Sequence, residues 1–229
     1  MLERLIGEVL EANRALAAHQ LVKLTSGNAS GIDRERGVVV IKPSGVAYDQ
    51  ITAADMVVID LEGNVMAGER RPSTDTPTHL ALYRAFEGIG GVVHTHSTWA
   101  TSWAQAGRSI PLLGTTHADL CPHPIPITRE LSEAEIAADY EGATGMALVE
   151  AVGRYGPVEV PCALVRGHGP FCWGATPEAA VENGVMLEEV ARLAQLTTAL
   201  DPDVLPLVQA LRDKHHERKH GSAAYYGQH

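Results

Sequence analysis

The stretch GGVVHTHSTWA, residues 90–100, places two histidines two positions apart at the end of an apolar run. Its length and glycine start predict a buried β-strand, on which residues i and i+2 project from the same face. His94 and His96 are therefore expected to share one environment. Two interpretations stay open for the pair: a metal site, or two core histidines that hydrogen-bond to their neighbours.

A third histidine stands in RGHGPF, residues 166–171, at the expected end of another strand. The glycines on both sides of His168 let the backbone approach a bound group closely. Three histidines with an open fourth position are typical of catalytic zinc, although His168 could also be a plain turn residue. Asp75 precedes an expected helix start at Thr76 and Pro77, so it is a fourth ligand, an orienting neighbour or a capping carboxylate.

Two further groups of motifs contain residues that are typical of substrate-binding and catalytic sites. Hydroxyl and amide groups typical of a phosphate site occur in SGN at 26–28, KPSG at 42–45 and PST at 72–74. Lys42 adds a positive charge, and Ser73 and Thr74 lie by the expected helix N-terminus, although such loops often only turn the chain. Asp119 in GTTHAD and a tyrosine of the C-terminal AYYGQ could form a proton-transfer pair; their alternatives are a turn residue and an aromatic anchor for the tail.

The pattern of the whole chain predicts one α/β domain. Helical spacing of apolar residues predicts a first helix in residues 2–17, and caps predict helices after Ser132 and Thr176. Residues 23–37 are expected to form a loop, and residues 111–119 an extended segment. Hairpin-like connections between the strands favour a largely antiparallel or mixed sheet with helices on its faces.

Composition excludes several classes of function. The chain has 229 residues, a net charge of −10 and three cysteines without a CxxC pair. Without a basic block, nucleic acid is not an expected partner, and without a Walker or dinucleotide glycine motif, ATP and NAD are disfavoured. The charged N-terminus is not a signal peptide, and no apolar run reaches the ~18 residues of a membrane span, which together with the cysteines favours a cytoplasmic protein.

The joint order of these motifs, from VLEAN in the first helix to YYGQ in the tail, resembles the class II aldolase/epimerase family. The match is closest to its sugar-phosphate epimerases. The resemblance implies one three-layer α/β/α domain over residues 1–229, with a central, mainly antiparallel sheet, assembled as a cyclic homotetramer. It also implies that the C-terminal tail, about residues 213–229, reaches into the active site of a neighbouring subunit.

The resemblance assigns roles to the candidate residues. It implies a divalent metal, usually zinc with manganese or cobalt as alternatives, bound by His94, His96 and His168 with Asp75 close by. It places the substrate phosphate among Asn28, Lys42, Ser44, Gly45, Ser73 and Thr74. It makes Asp119 and Tyr226 the two acid/bases, supported by Thr115, Glu141, His215 and Arg218. The chain carries Thr74 and Ser26 at two positions where an epimerase of the family that it resembles has serine and tryptophan.

The implied reaction interconverts L-ribulose 5-phosphate and D-xylulose 5-phosphate, a step in arabinose or ascorbate breakdown. Enolisation of the C2 ketone cannot invert C4, because C4 lies two carbons away. Retro-aldol cleavage of the C3–C4 bond can invert C4 if the aldehyde fragment rotates before the bond forms again. One alternative is an aldolase that releases dihydroxyacetone phosphate from a deoxysugar phosphate such as L-fuculose 1-phosphate. The other two alternatives are a non-catalytic relative and a zinc-dependent hydrolase.

Overall fold

The computed structural model describes residues 2–153, 155–222 and 224–227 of the chain. Positions 223, 228 and 229 of the predicted tail lie outside the described residues. The strands are β1 (Asn28–Asp33), β2 (Val38–Ile41), β3 (Val57–Asp60), β4 (Val65–Ala67), β5 (Gly91–His94), β6 (Cys162–Leu164) and β7 (Pro170–Gly174). The helices are α1 (Leu2–Ala18), α2 (Thr76–Ala85), α3 (Thr98–Gln105), α4 (Thr115–Leu120), α5 (Glu133–Val152), α6 (Pro177–Leu200) and α7 (Gln209–His220), with a short 3₁₀ helix at Ala53–Asp55.

The strands form one seven-stranded sheet in the order β4-β3-β2-β1-β5-β7-β6. Every neighbouring pair in it is antiparallel, which confirms the predicted antiparallel sheet. The predicted capping box of Ser132 and Glu135 opens α5, and the Thr176 hydroxyl caps α6 as expected. Among the described residues, no helix combines the length and the apolar character that crossing a membrane requires.

Helices cover both faces of this sheet, as neighbouring residues of β1 show. A Cβ at Gly31 would lie 2.8 Å from side-chain atoms of Leu5 and Pro177, so α1 and α6 press on that face. Ser30 projects to the other face because side chains alternate along a strand. There its hydroxyl lies 2.7 Å from Nδ1 of His79 on α2, and α5 packs on α2. The predicted three-layer α/β/α architecture is confirmed.

The prediction of a loop over residues 23–37 is wrong, because β1 occupies Asn28–Asp33 between β2 and β5. Its small and polar residues gave no apolar alternation to detect. These residues suit a central strand that is covered by helices. Gly31 leaves room for α1 and α6, and the Asn13 side chain hydrogen-bonds to the backbone of Ala29.

The extended segment expected over residues 111–119 is also wrong in part, since α4 begins at Thr115. Asp119 therefore lies on a helix. The helix has six residues, and no side chain caps its N-terminus. So short a helix is marginal by itself, and here it packs against α6 and α7.

Antiparallel pairing gathers several strand ends at one end of the sheet. Asn28, which starts β1, pairs with His94, which ends β5, and His94 in turn pairs with Phe171 near the start of β7. Lys42 follows the last residue of β2, and its backbone N–H donates to the carbonyl of Ala29. The polar residues that flank these strands consequently meet around one point.

Candidate active site

Three histidines converge at this end of the sheet. His94 ends β5, His96 lies beyond the strand in the connection to α3, and His168 lies in the turn between β6 and β7. Their ligand nitrogens all lie within 4.8 Å of one another, and the Nε2 atoms of His94 and His96 are 3.0 Å apart. Two nitrogens that each bind zinc at about 2.0–2.1 Å in a tetrahedral site lie about 3.3 Å apart. The triad therefore fits a single ion.

Buried contacts hold the His94 ring in the orientation of a ligand. Its Nδ1 lies 3.0 Å from the carbonyl oxygen of Pro170, which can only accept, so Nδ1 carries the proton and Nε2 is available to a metal. The Phe171 ring stacks on it with centroids 4.2 Å apart. Burial lowers the pKa of His94 to about 3, so the imidazole is neutral at pH 7, as metal binding requires.

His168 has a partner that the sequence motifs did not indicate. The hydroxyl oxygen of Tyr140, on α5, lies 3.0 Å from Nδ1 of His168. Burial lowers the pKa of His168 as well, which favours its neutral form. Tyr140 belongs to no recognisable motif, and nothing in its helical surroundings distinguishes it in the sequence.

Asp75 lines the same cavity as the three histidines. Among the described residues, however, it does not belong to the group whose ligand atoms all lie within 4.8 Å of one another. It holds the N-cap position of α2, but its carboxylate makes no capping hydrogen bond. Instead Oδ2 accepts from the Asn28 side chain at 2.7 Å, and the same Asn28 amide donates to Ser73 Oγ at 2.9 Å. The Oδ1 atom of Asn28 is buried and has no partner among the described atoms, so it is an acceptor left for a ligand.

A cavity of about 330 Å³ joins the histidines to the predicted phosphate motifs. Its lining consists of Thr25, Ser26, Gly27, Asn28, Lys42, Pro43, Ser44, Gly45, Ser73, Thr74, Asp75, His94, His96 and His168. All the predicted metal and substrate residues are among them; Thr25 is an addition. The KPSG and PST loops lie together because Ser44 N donates to Arg71 O and Ser73 N donates to Lys42 O, both at 3.0 Å.

Lys42 is the positive charge of this cavity, and it is buried to 1% exposure. Within the described part of the chain, its Nζ donates only long hydrogen bonds, to the carbonyls of Thr25 (3.4 Å) and Pro43 (3.3 Å), and it stands 4.8 Å over the ring of Tyr48. No ion pair between described residues includes it. Burial lowers the pKa of Lys42 to about 8, so an incoming anion would stabilise the charged form.

Binding of a phosphorylated substrate is expected to weaken as the pH rises through the Lys42 pKa of about 8. Above it the free protein carries a neutral amine, so KM should rise by up to about tenfold for each further pH unit. The measurement is KM against pH for the native chain and for Lys42→Arg, whose guanidinium stays charged. A flat profile in the native chain, or the same slope in Lys42→Arg, contradicts the role of Lys42.

Four of the remaining predicted residues form a second cluster on α4, α7 and the tail: Asp119, His215, Arg218 and Tyr226. Asp119 Oδ2 lies 2.7 Å from Nη2 of Arg218, and Oδ1 lies 3.2 Å from Nδ1 of His215. The Arg218 guanidinium stands 5.1 Å from the ring centre of Tyr226, whose backbone N–H donates to the Arg218 carbonyl. Partial burial alone would raise the pKa of Asp119, but hydrogen bonds and charge from Arg218, with a further hydrogen bond from His215, hold it below its usual range.

This second cluster does not line the histidine cavity. Of the described cavity residues, none belongs to α4, α7 or the tail. Thr115 lines a separate cavity of about 240 Å³, and Glu141, beside Tyr140, accepts a hydrogen bond from Thr78 through its backbone carbonyl. One copy of the chain thus keeps Asp119 and Tyr226 together but apart from the histidines.

This chain is similar to known proteins over nearly its whole length. Residues 7–195 match the model of the Class II Aldolase and Adducin N-terminal domain. Two proteins named L-ribulose-5-phosphate 4-epimerase UlaF, from Salmonella paratyphi A (strain ATCC 9150 / SARB42) and Salmonella typhi, are each 52% identical over 227 residues, covering 99% of this chain and 100% of the relative.

Solved structures share the fold at lower identity. An L-fuculose 1-phosphate aldolase superposes with a TM-score of 0.81 at 23% identity, covering 94% of this chain and 95% of that one. The L-fuculose 1-phosphate aldolase from Glaciozyma antarctica PI12 gives 0.76 at 18% identity, covering 94% and 81%. Likeness at this identity concerns the fold alone.

Proposed function

The chain belongs to the class II aldolase and adducin family, and on that premise we propose that it is a metal-dependent L-ribulose-5-phosphate 4-epimerase. The observation that carries the proposal is the 52% identity to the UlaF epimerases along nearly the whole chain. The aldolase structures are more distant in sequence and do not favour net cleavage. The cavity supports the proposal because it unites a histidine triad with a buried lysine and hydroxyl-rich loops.

His94, His96 and His168 would hold the divalent ion, zinc or alternatively manganese or cobalt. Bound there, the ion would act as a Lewis acid for the negative charge of an enediolate. Asp75, held by Asn28, would stand next to it and orient a substrate hydroxyl.

The other end of the cavity would bind the phosphate. Lys42 would supply the charge, and the hydroxyls of Ser44, Ser73 and Thr74 would donate hydrogen bonds together with the backbone N–H of Gly45. Gly45 has a φ of +70°, a left-handed conformation that glycine adopts without strain. A firmly held phosphate keeps the two-carbon aldehyde in place while it turns.

The reaction needs two acid/bases on opposite faces of C4, for which we assign Asp119 and Tyr226. One takes the proton of the C4 hydroxyl, the C3–C4 electron pair moves to the ketone fragment, and glycolaldehyde phosphate is released within the site. After the aldehyde rotates, the C3–C4 bond forms again and the other group protonates the new C4 oxygen. His215 and Arg218, which contact Asp119, would support these proton transfers, with Thr115 and Glu141 nearby in the assembled site.

We place the two acid/bases in the site of a neighbouring subunit of a homotetramer. The separation of the Asp119 cluster from the cavity supports this arrangement. Exposed apolar side chains close to that cluster, on α6, on the connection to α7 and on α7 itself, support burial against another copy. They are Leu193, Leu196, Leu200, Leu205, Val208 and Leu211.

A coupled assay on L-ribulose 5-phosphate tests the function. We expect D-xylulose 5-phosphate to form with little free dihydroxyacetone or glycolaldehyde phosphate, activity to disappear with a chelator, and activity to return with zinc, manganese or cobalt. Formation of dihydroxyacetone phosphate from L-fuculose 1-phosphate would favour the aldolase instead. Activity that survives complete metal removal contradicts the metal-dependent mechanism.

The cellular setting that we propose is cytoplasmic sugar breakdown, from arabinose or ascorbate. The three cysteines of the chain are free and buried, which suits a reducing compartment.

A further inference from the structure

Tyr140 contacts a histidine that lies in a turn and not on a strand. His168 lies in the β6–β7 turn between two glycines, of which Gly167 has a φ of +73°. His94, in contrast, ends a strand, hydrogen-bonds to Pro170 and stacks on Phe171. The hydroxyl oxygen of Tyr140, 3.0 Å from Nδ1, is the hydrogen-bond partner that the described residues offer to the His168 ring.

A break inside α5 places the tyrosine. Asp139 has a φ of −163° and a ψ of 83°, which interrupt the helix just before Tyr140. The Asp139 carboxylate then accepts from the backbone N–H of Gly142 at 3.0 Å, as an N-cap does for a new helix. A Cβ at Gly142 would overlap that carboxylate, so any other residue there would displace the Asp139 side chain. The sequence DYEG thus starts a second helical segment whose first residue is Tyr140.

Two buried threonines hold the backbone of this segment. The Thr144 hydroxyl donates to the carbonyl of Tyr140 at 2.8 Å, and the Thr78 hydroxyl donates to the carbonyl of Glu141 at 2.7 Å. Thr78 belongs to α2, whose N-cap is Asp75, so the same contact ties Tyr140 to the other flank of the site. A rigid segment therefore presents the phenol to His168.

We infer that Tyr140 is a positioning residue of the metal centre, whose phenol oxygen accepts a hydrogen bond from the Nδ1–H of His168 and so leaves Nε2 to bind the ion. This inference rests on the proposed metal-dependent function. Partners of this kind fix the tautomer and ring orientation of a histidine ligand, and their loss typically costs about 10–100-fold in metal affinity. Tyr140 would act through His168 without touching the substrate.

The variant Tyr140→Phe tests the inference because it removes only the hydroxyl. We expect the zinc affinity of the full-length chain, measured by competition with a chelator of known affinity, to fall by about 10–100-fold. The visible spectrum of the cobalt-loaded variant should change, because the His168 ring is no longer fixed. The thermal midpoint of the metal-free protein should stay at its native value, whereas a purely structural role would lower it.

The matched control is Tyr155→Phe, which removes a phenol hydroxyl beyond the C-terminal end of the same helix and keeps the ring that stacks on His123. It should bind zinc as the native chain does. Native zinc affinity in Tyr140→Phe overturns the inference, and so does an equal loss in both variants. A native chain that binds no zinc, manganese or cobalt overturns the proposed function itself, so the two failures are distinguishable.

Discussion

Replacement of His96 by alanine is expected to remove both the metal ion and the epimerase activity. His96 supplies one of three nitrogens that lie within 4.8 Å of one another. The two imidazoles that remain in the variant would bind an ion far more weakly. Lewis-acid stabilisation is worth several kcal/mol, so kcat/KM should fall by about a thousandfold or more. The measurements are metal content by elemental analysis and turnover of L-ribulose 5-phosphate.

The control for this variant is His19→Ala, an exposed histidine just after α1 and away from the cavity. It should keep both metal and activity. A His96→Ala protein that retains one metal ion per chain, with native turnover, refutes the ligand role.

Replacement of Asp119 by asparagine should nearly abolish turnover while leaving the metal in place. Asparagine has the shape of aspartate and can still accept a hydrogen bond from Arg218, but it cannot take a proton. Loss of a general acid/base costs typically about 10²–10⁴-fold, and the metal ligands belong to a different cluster. Turnover and metal content, measured on the same preparation, separate these two effects.

A matched control is Asp33→Asn, because Asp33 also pairs with an arginine, Arg36, at 2.7 Å, but on the surface and outside both clusters. It should leave turnover unchanged. Native kcat in Asp119→Asn would end the assignment of Asp119 as an acid/base.

Mixing subunits of two inactive variants tests whether the histidine cavity of one subunit meets the Asp119 cluster of another. Asp119 and Tyr226 lie together on one chain, so mixing Asp119→Asn with Tyr226→Phe should restore nothing. Mixing His96→Ala with Asp119→Asn should restore about a quarter of the activity in a cyclic assembly, since one site in four would combine two intact halves. No recovery from that second mixture, after proven subunit exchange, contradicts shared sites.

Motifs with local physical causes were predictable from the sequence. Flanking glycines marked the turn that carries His168, a Ser132–Glu135 capping box marked the start of α5, and the apolar run before His94 marked β5. Each of these signals depends on residues that are close in the chain. They were sufficient to favour an antiparallel or mixed sheet and to single out the motifs that line the cavity, while the family resemblance implied the three-layer architecture and the residue roles.

Other features depend on contacts between distant segments. The strand β1 carries no apolar alternation, and the six-residue α4 exists only because α6 and α7 pack on it. The break at Asp139 interrupts a helix whose sequence gave no sign of it, and this break brings Tyr140 to His168. None of these can be derived from spacing, because their stabilising partners lie far away in the sequence.

By itself, the sequence determined an α/β domain and the histidine, lysine and hydroxyl motifs of the cavity, because periodicity, capping and turn chemistry are local, and its resemblance to the family implied the three layers. Only the tertiary structure decided the rest. It joined β5 and the β6–β7 turn at one end of the sheet, set Tyr140 against His168, and kept Asp119 with Arg218 and Tyr226 away from the cavity. The physical reason is that strand pairing and helix packing, which act between residues far apart in the chain, decide which local motifs meet.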